Sequence, residues 1–144
     1  MNILHLEKNT YDEQSKRIIE SLGNVDYVSC DNQTDFVEIL VEKNYNGLFS
    51  RLGLDVSANV LALATHLRWL MSPTTGLDHI DLNYAQEHNI TIISLKGEKE
   101  FLRDIHTTAE HTWALLLSIT RKLSIAHNSV IEGLWSRGDY YCNE

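Results

Sequence analysis

The chain has 144 residues, 43% hydrophobic and 22% charged, the proportions of an ordinary globular domain with enough chain to bury a core. Twenty acidic against 12 basic residues leave a net charge of −8, which argues against nucleic acid or an anionic membrane as partner. The two cysteines, Cys30 and Cys142, give no disulfide framework or zinc spacing, and no apolar run reaches the roughly twenty residues of a membrane span. With no signal-peptide pattern at the N-terminus, a reduced, cytoplasmic compartment is the expectation.

Strand-like runs alternate with helical patterns. Residues 3–6 read as a first strand, followed by an amphipathic segment over 12–22 that stops at Gly23. Residues 25–30 form a second strand, closed by Cys30 as a small buried hydrophobe. Thr34 then caps a helix through Glu42 with Phe36, Val37, Leu40 and Val41 on its apolar face. Residues 47–50 are a third strand, Ser57 caps a short helix carrying Val60, Leu61 and Ala64, and 68–71 are a fourth strand. Asp81 caps a helix over 82–88 that Asn89 ends, and the β-branched run 90–95 is the fifth strand. Five strands with short helical connections predict right-handed crossovers and a parallel sheet with helices on both faces, a flavodoxin-like or Rossmann-like α/β unit over residues 1–100.

Residues 101–144 read differently. Between 105 and 132 there is no glycine or proline, and Ala109, Trp113, Leu116, Leu117, Thr120, Leu123 and Ser124 recur at helical spacing. One helix of about 28 residues would be about 42 Å long. That is more than a small sheet can cover, so a second domain or subunit is expected against it. The alternative is two helices broken near residues 122–124.

In an open parallel sheet, ligands bind beyond the carboxyl ends of the strands. Two loops there carry suitable groups. Arg51 follows the third strand with a planar cation suited to carboxylate or phosphate. Ser72-Pro73-Thr74-Thr75-Gly76 follows the fourth, a small-residue turn whose amides can approach an anion closely. If those strands are neighbours, Arg51 and Thr75-Gly76 converge on an anion site. The plainer reading pairs Arg51 with a surface carboxylate and leaves the turn as only a turn.

The stretch Leu-Arg-Trp-Leu-Met-Ser-Pro-Thr-Thr-Gly-Leu-Asp-His-Ile-Asp over 67–81, with Thr108-Ala109-Glu110-His111-Thr112 opening a helix that ends near Gly133-Leu134-Trp135-Ser136-Arg137, resembles the D-isomer-specific 2-hydroxyacid dehydrogenases, the phosphoglycerate dehydrogenase-like family. The resemblance implies that the backbone N–H groups around Thr75, Gly76 and Leu77 receive the carboxylate of a small 2-hydroxy or 2-oxo acid. It implies that Thr75 also meets the nicotinamide end of NAD, and it places Arg51 loosely as a substrate-facing cation. Asp78 and Asp81 are expected to fix the turn and cap the next helix. Ala109-Glu110-His111-Thr112 then begins a linking helix, and the homodimer is expected through residues 105–132.

The family's catalytic arginine, glutamate and histidine follow its glycine-rich NAD turn. The glycines here, Gly23, Gly47, Gly53, Gly76, Gly97, Gly133 and Gly138, contain no G-x-G-x-x-G. No catalytic residue is therefore assigned, His111 is not that histidine, and the 144 residues by themselves are expected to be inactive, holding NAD weakly if at all. His106 with Glu110 lacks a third metal ligand. His5, His66, His79, His88 and His127 are expected at the surface or at helix ends. A receiver-type signalling module would need an aspartate where Ser50-Arg51 stands, even though Lys96 follows the fifth strand. A stand-alone binding or dimerisation module derived from the dehydrogenase fold remains the alternative to a substrate-domain role.

Overall fold

A computed structural model describes residues 1–7, 11–135 and 138–140. Its contacts divide the chain into two compact units, residues 1–97 and 98–144. The first contains the strands β1 (Asn2–His5), β2 (Asn24–Tyr27), β3 (Gly47–Phe49), β4 (Trp69–Ser72) and β5 (Thr91–Ser94). They pair in the order β2-β1-β3-β4-β5, every pair parallel. Between them run α1 (Glu13–Glu20), α2 (Gln33–Glu42), α3 (Ala58–Leu63) and α4 (Leu82–Glu87). This is the doubly wound order whose switch point lies between β1 and β3.

The register explains the core. Leu4, Leu48, Leu70 and Ile92 lie side by side across the sheet on one face. That row joins Phe36 and Leu40 of α2, Val60 and Leu61 of α3 and Ala85 of α4 in a single cluster. The other face carries the row Tyr27, His5, Phe49, Met71 and Ile93. The β1-to-β2 crossover runs opposite to the rest and, being right-handed, takes α1 to this second face. Away from α1 the second face is partly open, with Trp69 42% and Ile93 50% exposed.

Several boundaries differ from the sequence reading, each for a local reason. Asn32, not Thr34, caps α2, because its side chain accepts from the Asp35 N–H. Ile39, not the exposed Val41, completes the half-buried flank of α2. β2 stops at Tyr27, three residues before Cys30, which is nonetheless buried. Asp26 on β2 instead accepts from Lys43 Nζ (2.7 Å) and Tyr45 Oη (2.9 Å), which ties the sheet edge to the α2–β3 connection. These bonds hold the Asp26 carboxyl below its ordinary range, while burial and Asp26 together push the Tyr45 phenol up.

His5 is no surface residue. It is 2% exposed, stacked on Phe49 and packed against Tyr11 and Tyr27, and its Nδ1 accepts from the Glu7 N–H. A row position on the interior strand β1 places it there, whatever its polarity.

The second unit contains α5 (Lys99–Leu102), α6 (Thr107–Thr120), α7 (Leu123–Ile131) and a 3₁₀ turn, Gly138–Tyr140. The single helix expected over 105–132 is thus two. Thr120 Oγ1 bonds back to the carbonyls of Leu116 and Leu117 (2.8 and 3.4 Å), competing in the last turn of α6. Lys122 then takes the left-handed conformation at φ 50° before α7 starts. Ser136, Arg137, Cys142 and Glu144 lie outside the described residues.

Burial lowers the His5 pKa from its ordinary 6.5, with Glu7 opposing more weakly. The unfolded chain therefore binds more protons, so stability from this site falls as pH drops below about 6.5. Asp26 acts only in the more acidic range below the ordinary carboxylate pKa. Denaturant unfolding is expected to show lower stability at pH 5 than at pH 7.5, with a smaller difference in His5→Phe.

Candidate active site

The carboxyl edge of the sheet is held by a set of cross-loop bonds. Val56, after β3, and Ile80, after β4, form an isolated parallel bridge, with Val56 N–H donating to His79 O (2.8 Å) and Asp81 N–H to Val56 O (3.1 Å). Gln33 at the start of α2 clasps Asp55 with two bonds, Nε2 to its carbonyl (2.7 Å) and Asp55 N–H to Oε1 (2.9 Å). Leu95 N–H, at the end of β5, donates to Thr74 O (3.1 Å). The segment from Ser72 to Ile80 is therefore fixed at both ends and strapped in the middle.

Inside that segment the polar groups face two ways. Thr74 Oγ1 donates to Gly76 O (2.7 Å) and lies 2.8 Å from Ser72 Oγ, which in turn lies 3.3 Å from His79 Nε2. The N–H groups of Thr75, Gly76 and Leu77, by contrast, donate to no acceptor among the described residues. Thr75 and Gly76 are exposed and Leu77 half-buried. A Cβ on Gly76 would stand 3.1 Å from Asp78 Oδ1, so the turn is close-packed there even though Gly76 needs no left-handed backbone. Three consecutive amide donors at a strand's carboxyl end can bind an oxyanion without a side-chain charge.

Thr75, Gly76 and Leu77 thus come together by adjacency in one turn. Arg51 follows Ser50, whose N–H bonds Met71 O, so its loop does neighbour the turn. Its guanidinium, however, reaches the β2–α2 connection, where Nη1 donates to Cys30 O (2.8 Å) and pairs with Asp31 (3.3 Å). The plainer of the two sequence readings describes those contacts. Asp81 caps α4 by accepting from the Tyr84 N–H (2.9 Å). Lys96 shares an open cleft with Leu77, Asp78 and Asp81. An apolar recess of about 290 Å³ adjoins the turn's start, lined by Phe49, Met71, Pro73, Ile93 and Leu95 among others.

His79 was the residue missed. Its ring is partly buried beneath the turn, and the only signal in the sequence was its place between the two aspartates of Asp78-His79-Ile80-Asp81. His106 stands at the N-cap of α6 without a side-chain cap bond, and among the described residues no group of three His, Cys, Asp or Glu could hold a metal ion.

Two outcomes check this geometry. Asp81→Ala is expected to cost about 1 kcal/mol in urea unfolding through loss of the cap. Arg51→Ala leaves the Cys30 carbonyl without its donor and is expected to cost about 1 kcal/mol in the same measurement.

Comparison with known proteins shows which family this fold belongs to. The chain is 33% identical over 93 residues to D-3-phosphoglycerate dehydrogenase of Archaeoglobus fulgidus, a match covering 65% of this chain and 17% of that protein. Among solved structures it resembles the TT0316 protein of Thermus thermophilus (TM-score 0.78, 22% identity, 94% of this chain and 42% of that one). It also resembles the NAD-dependent formate dehydrogenase of Staphylococcus aureus in complex with NAD (TM-score 0.70, 22% identity, 97% and 44%). The chain thus spans less than half the length of each of these proteins. Residues 3–136 match the model for the catalytic domain of the D-isomer specific 2-hydroxyacid dehydrogenases, and the chain belongs to that family.

Proposed function

We propose that the turn Thr75-Gly76-Leu77 receives the carboxylate of a small 2-hydroxy or 2-oxo acid, so that this chain supplies the substrate-binding part of an NAD-dependent dehydrogenase. The observation that carries it is the set of three consecutive N–H groups without acceptors among the described residues, in a turn whose Gly76 and Leu77 carbonyls are already engaged. Arg51 would add long-range attraction rather than a direct contact, because its Nη1 is held by Cys30 O and Asp31. The recess lined by Phe49, Met71 and Leu95 offers an apolar wall beside the turn.

In such an enzyme NAD takes or gives the hydride at the acid's C2 carbon. Thr75 is the one residue here assigned near its nicotinamide end. The 144 residues contain no glycine-rich pyrophosphate turn, so no step through the cofactor and no proton transfer is assigned to this chain. Tested as it stands, the chain should bind a 2-oxo acid but not turn it over.

The test is a nuclear magnetic resonance titration of the 144-residue chain with pyruvate, against chloride at equal ionic strength. The amides of Thr75, Gly76 and Leu77 are expected to shift saturably with pyruvate only. Shifts spread over the surface, or none, would remove the assignment. NADH fluorescence titration should show no micromolar binding. Saturable micromolar binding would mean the cofactor is held without the glycine-rich turn.

The homodimer is proposed through α6 and α7. None of the 14 residues of α6 is buried, and Ile119 is 77% exposed. A helix this apolar is normally covered. Light scattering is expected to give twice the chain mass, with Trp113→Glu combined with Ile119→Lys giving the monomer. Wild-type monomer at high micromolar concentration would contradict it.

A further inference from the structure

The hydrogen bonds beneath the turn have one possible direction. A carbonyl oxygen only accepts, so Thr74 Oγ1 spends its proton on Gly76 O. Ser72 Oγ must then be the donor to Thr74 Oγ1 at 2.8 Å. With its single proton used, Ser72 can only accept at its other contact, and His79 Nε2 must carry the proton that reaches it. The chain runs His79 Nε2–H, Ser72 Oγ–H, Thr74 Oγ1–H, Gly76 C=O. The same assignment makes Nδ1 of the neutral ring a bare acceptor, and that atom is buried without a partner among the described residues.

The last link matters most. Gly76 O belongs to the peptide that carries the Leu77 N–H, and in a planar trans peptide the two point in opposite directions. Anchoring the carbonyl against Thr74 aims the N–H away from the anchored side. Ser72 is 2% exposed and sits on β4, while His79 O is held by Val56, so both ends of the chain are fixed to the sheet and its bridge.

We infer that His79 is a positioning residue: through Ser72 and Thr74 it sets the orientation of the Gly76–Leu77 peptide and so presents the Leu77 N–H to the substrate carboxylate. This rests on the carboxylate assignment above, but its first two tests do not. Replacing the ring by a group that cannot donate should rotate the peptide. A donor in nearly the same place should not.

Long-range ¹H–¹⁵N correlation spectra of the 144-residue chain at pH 8 report the tautomer of His79 directly. Nε2–H is expected, and Nδ1–H would overturn the inference. His79→Leu is expected to move the Gly76 and Leu77 amide resonances while Leu4, Leu48 and Leu70 stay in place. His79→Gln, whose amide can still donate to Ser72, should restore them. Equal shifts in the Gln and Leu variants, or none in either, would overturn it. Should His79→Leu disturb the core resonances as well, Thr74→Val removes the final link at a half-buried position. It must then move Leu77 in the same way, and an unmoved Leu77 would again refute the proposal. Pyruvate affinity is expected to fall about tenfold in His79→Leu, one hydrogen bond's worth, and to return in His79→Gln. If the wild-type chain fails to bind pyruvate, the carboxylate reading falls alone, and the tautomer and amide shifts still decide the role of His79.

Discussion

The two-residue bridge between Val56 and Ile80 is the constraint on which the site depends. Parallel strands fix only where a loop leaves the sheet, and the loop after β4 leaves at Ser72. The bridge fixes where it returns, by tying Ile80 to the loop after β3 just before Asp81 caps α4. Both anchors are apolar and buried, Val56 and Ile80 being part of the same cluster as Leu4, Leu48 and Leu70. With its ends held by the core, the intervening turn has few ways to arrange its polar groups. The arrangement it adopts engages the Thr74, Gly76 and Leu77 carbonyls and leaves the N–H groups of Thr75, Gly76 and Leu77 without acceptors among the described residues.

That division answers an electrostatic difficulty. A chain with net charge −8, and with Asp78 and Asp81 beside the turn, is a poor attractor of anions at long range. Its nearest arginine is engaged by Cys30 O and Asp31. Local backbone dipoles act over short distances where side-chain charge does not help, and they discriminate by geometry. A planar carboxylate can meet adjacent amides that a larger, more hydrated anion cannot approach as closely.

Much of the fold was legible in the sequence because local signals and burial agree. Asp81 caps α4 as its position before Leu82 suggested, and β-branched residues mark β5. Where two signals compete, tertiary context decided. Thr34 and Asn32 both suit a cap, and the Asn32 side chain reached the Asp35 N–H. The break at Lys122 involves no glycine or proline, and Thr120's back-bonding is visible only once its carbonyl partners are placed. The turn through Thr75 and Gly76 could be located from its small residues, while Leu77 joined it only through the family resemblance. The direction of the Arg51 fork could not, since it depends on a carbonyl 21 positions earlier in the chain. His5 and His79 were misjudged together: histidine is mostly a surface residue, and only strand register or a hydrogen-bond partner shows otherwise.

Amide hydrogen exchange, followed residue by residue with and without saturating pyruvate, addresses the central claim most directly. Open N–H groups exchange freely until a carboxylate accepts from them. Slowed exchange is expected at Thr75, Gly76 and Leu77 in the presence of pyruvate, with Gly53 in the exposed β3–α3 loop unchanged. Exchange at those three amides that is already slow in the free chain, or that pyruvate leaves untouched, would contradict it.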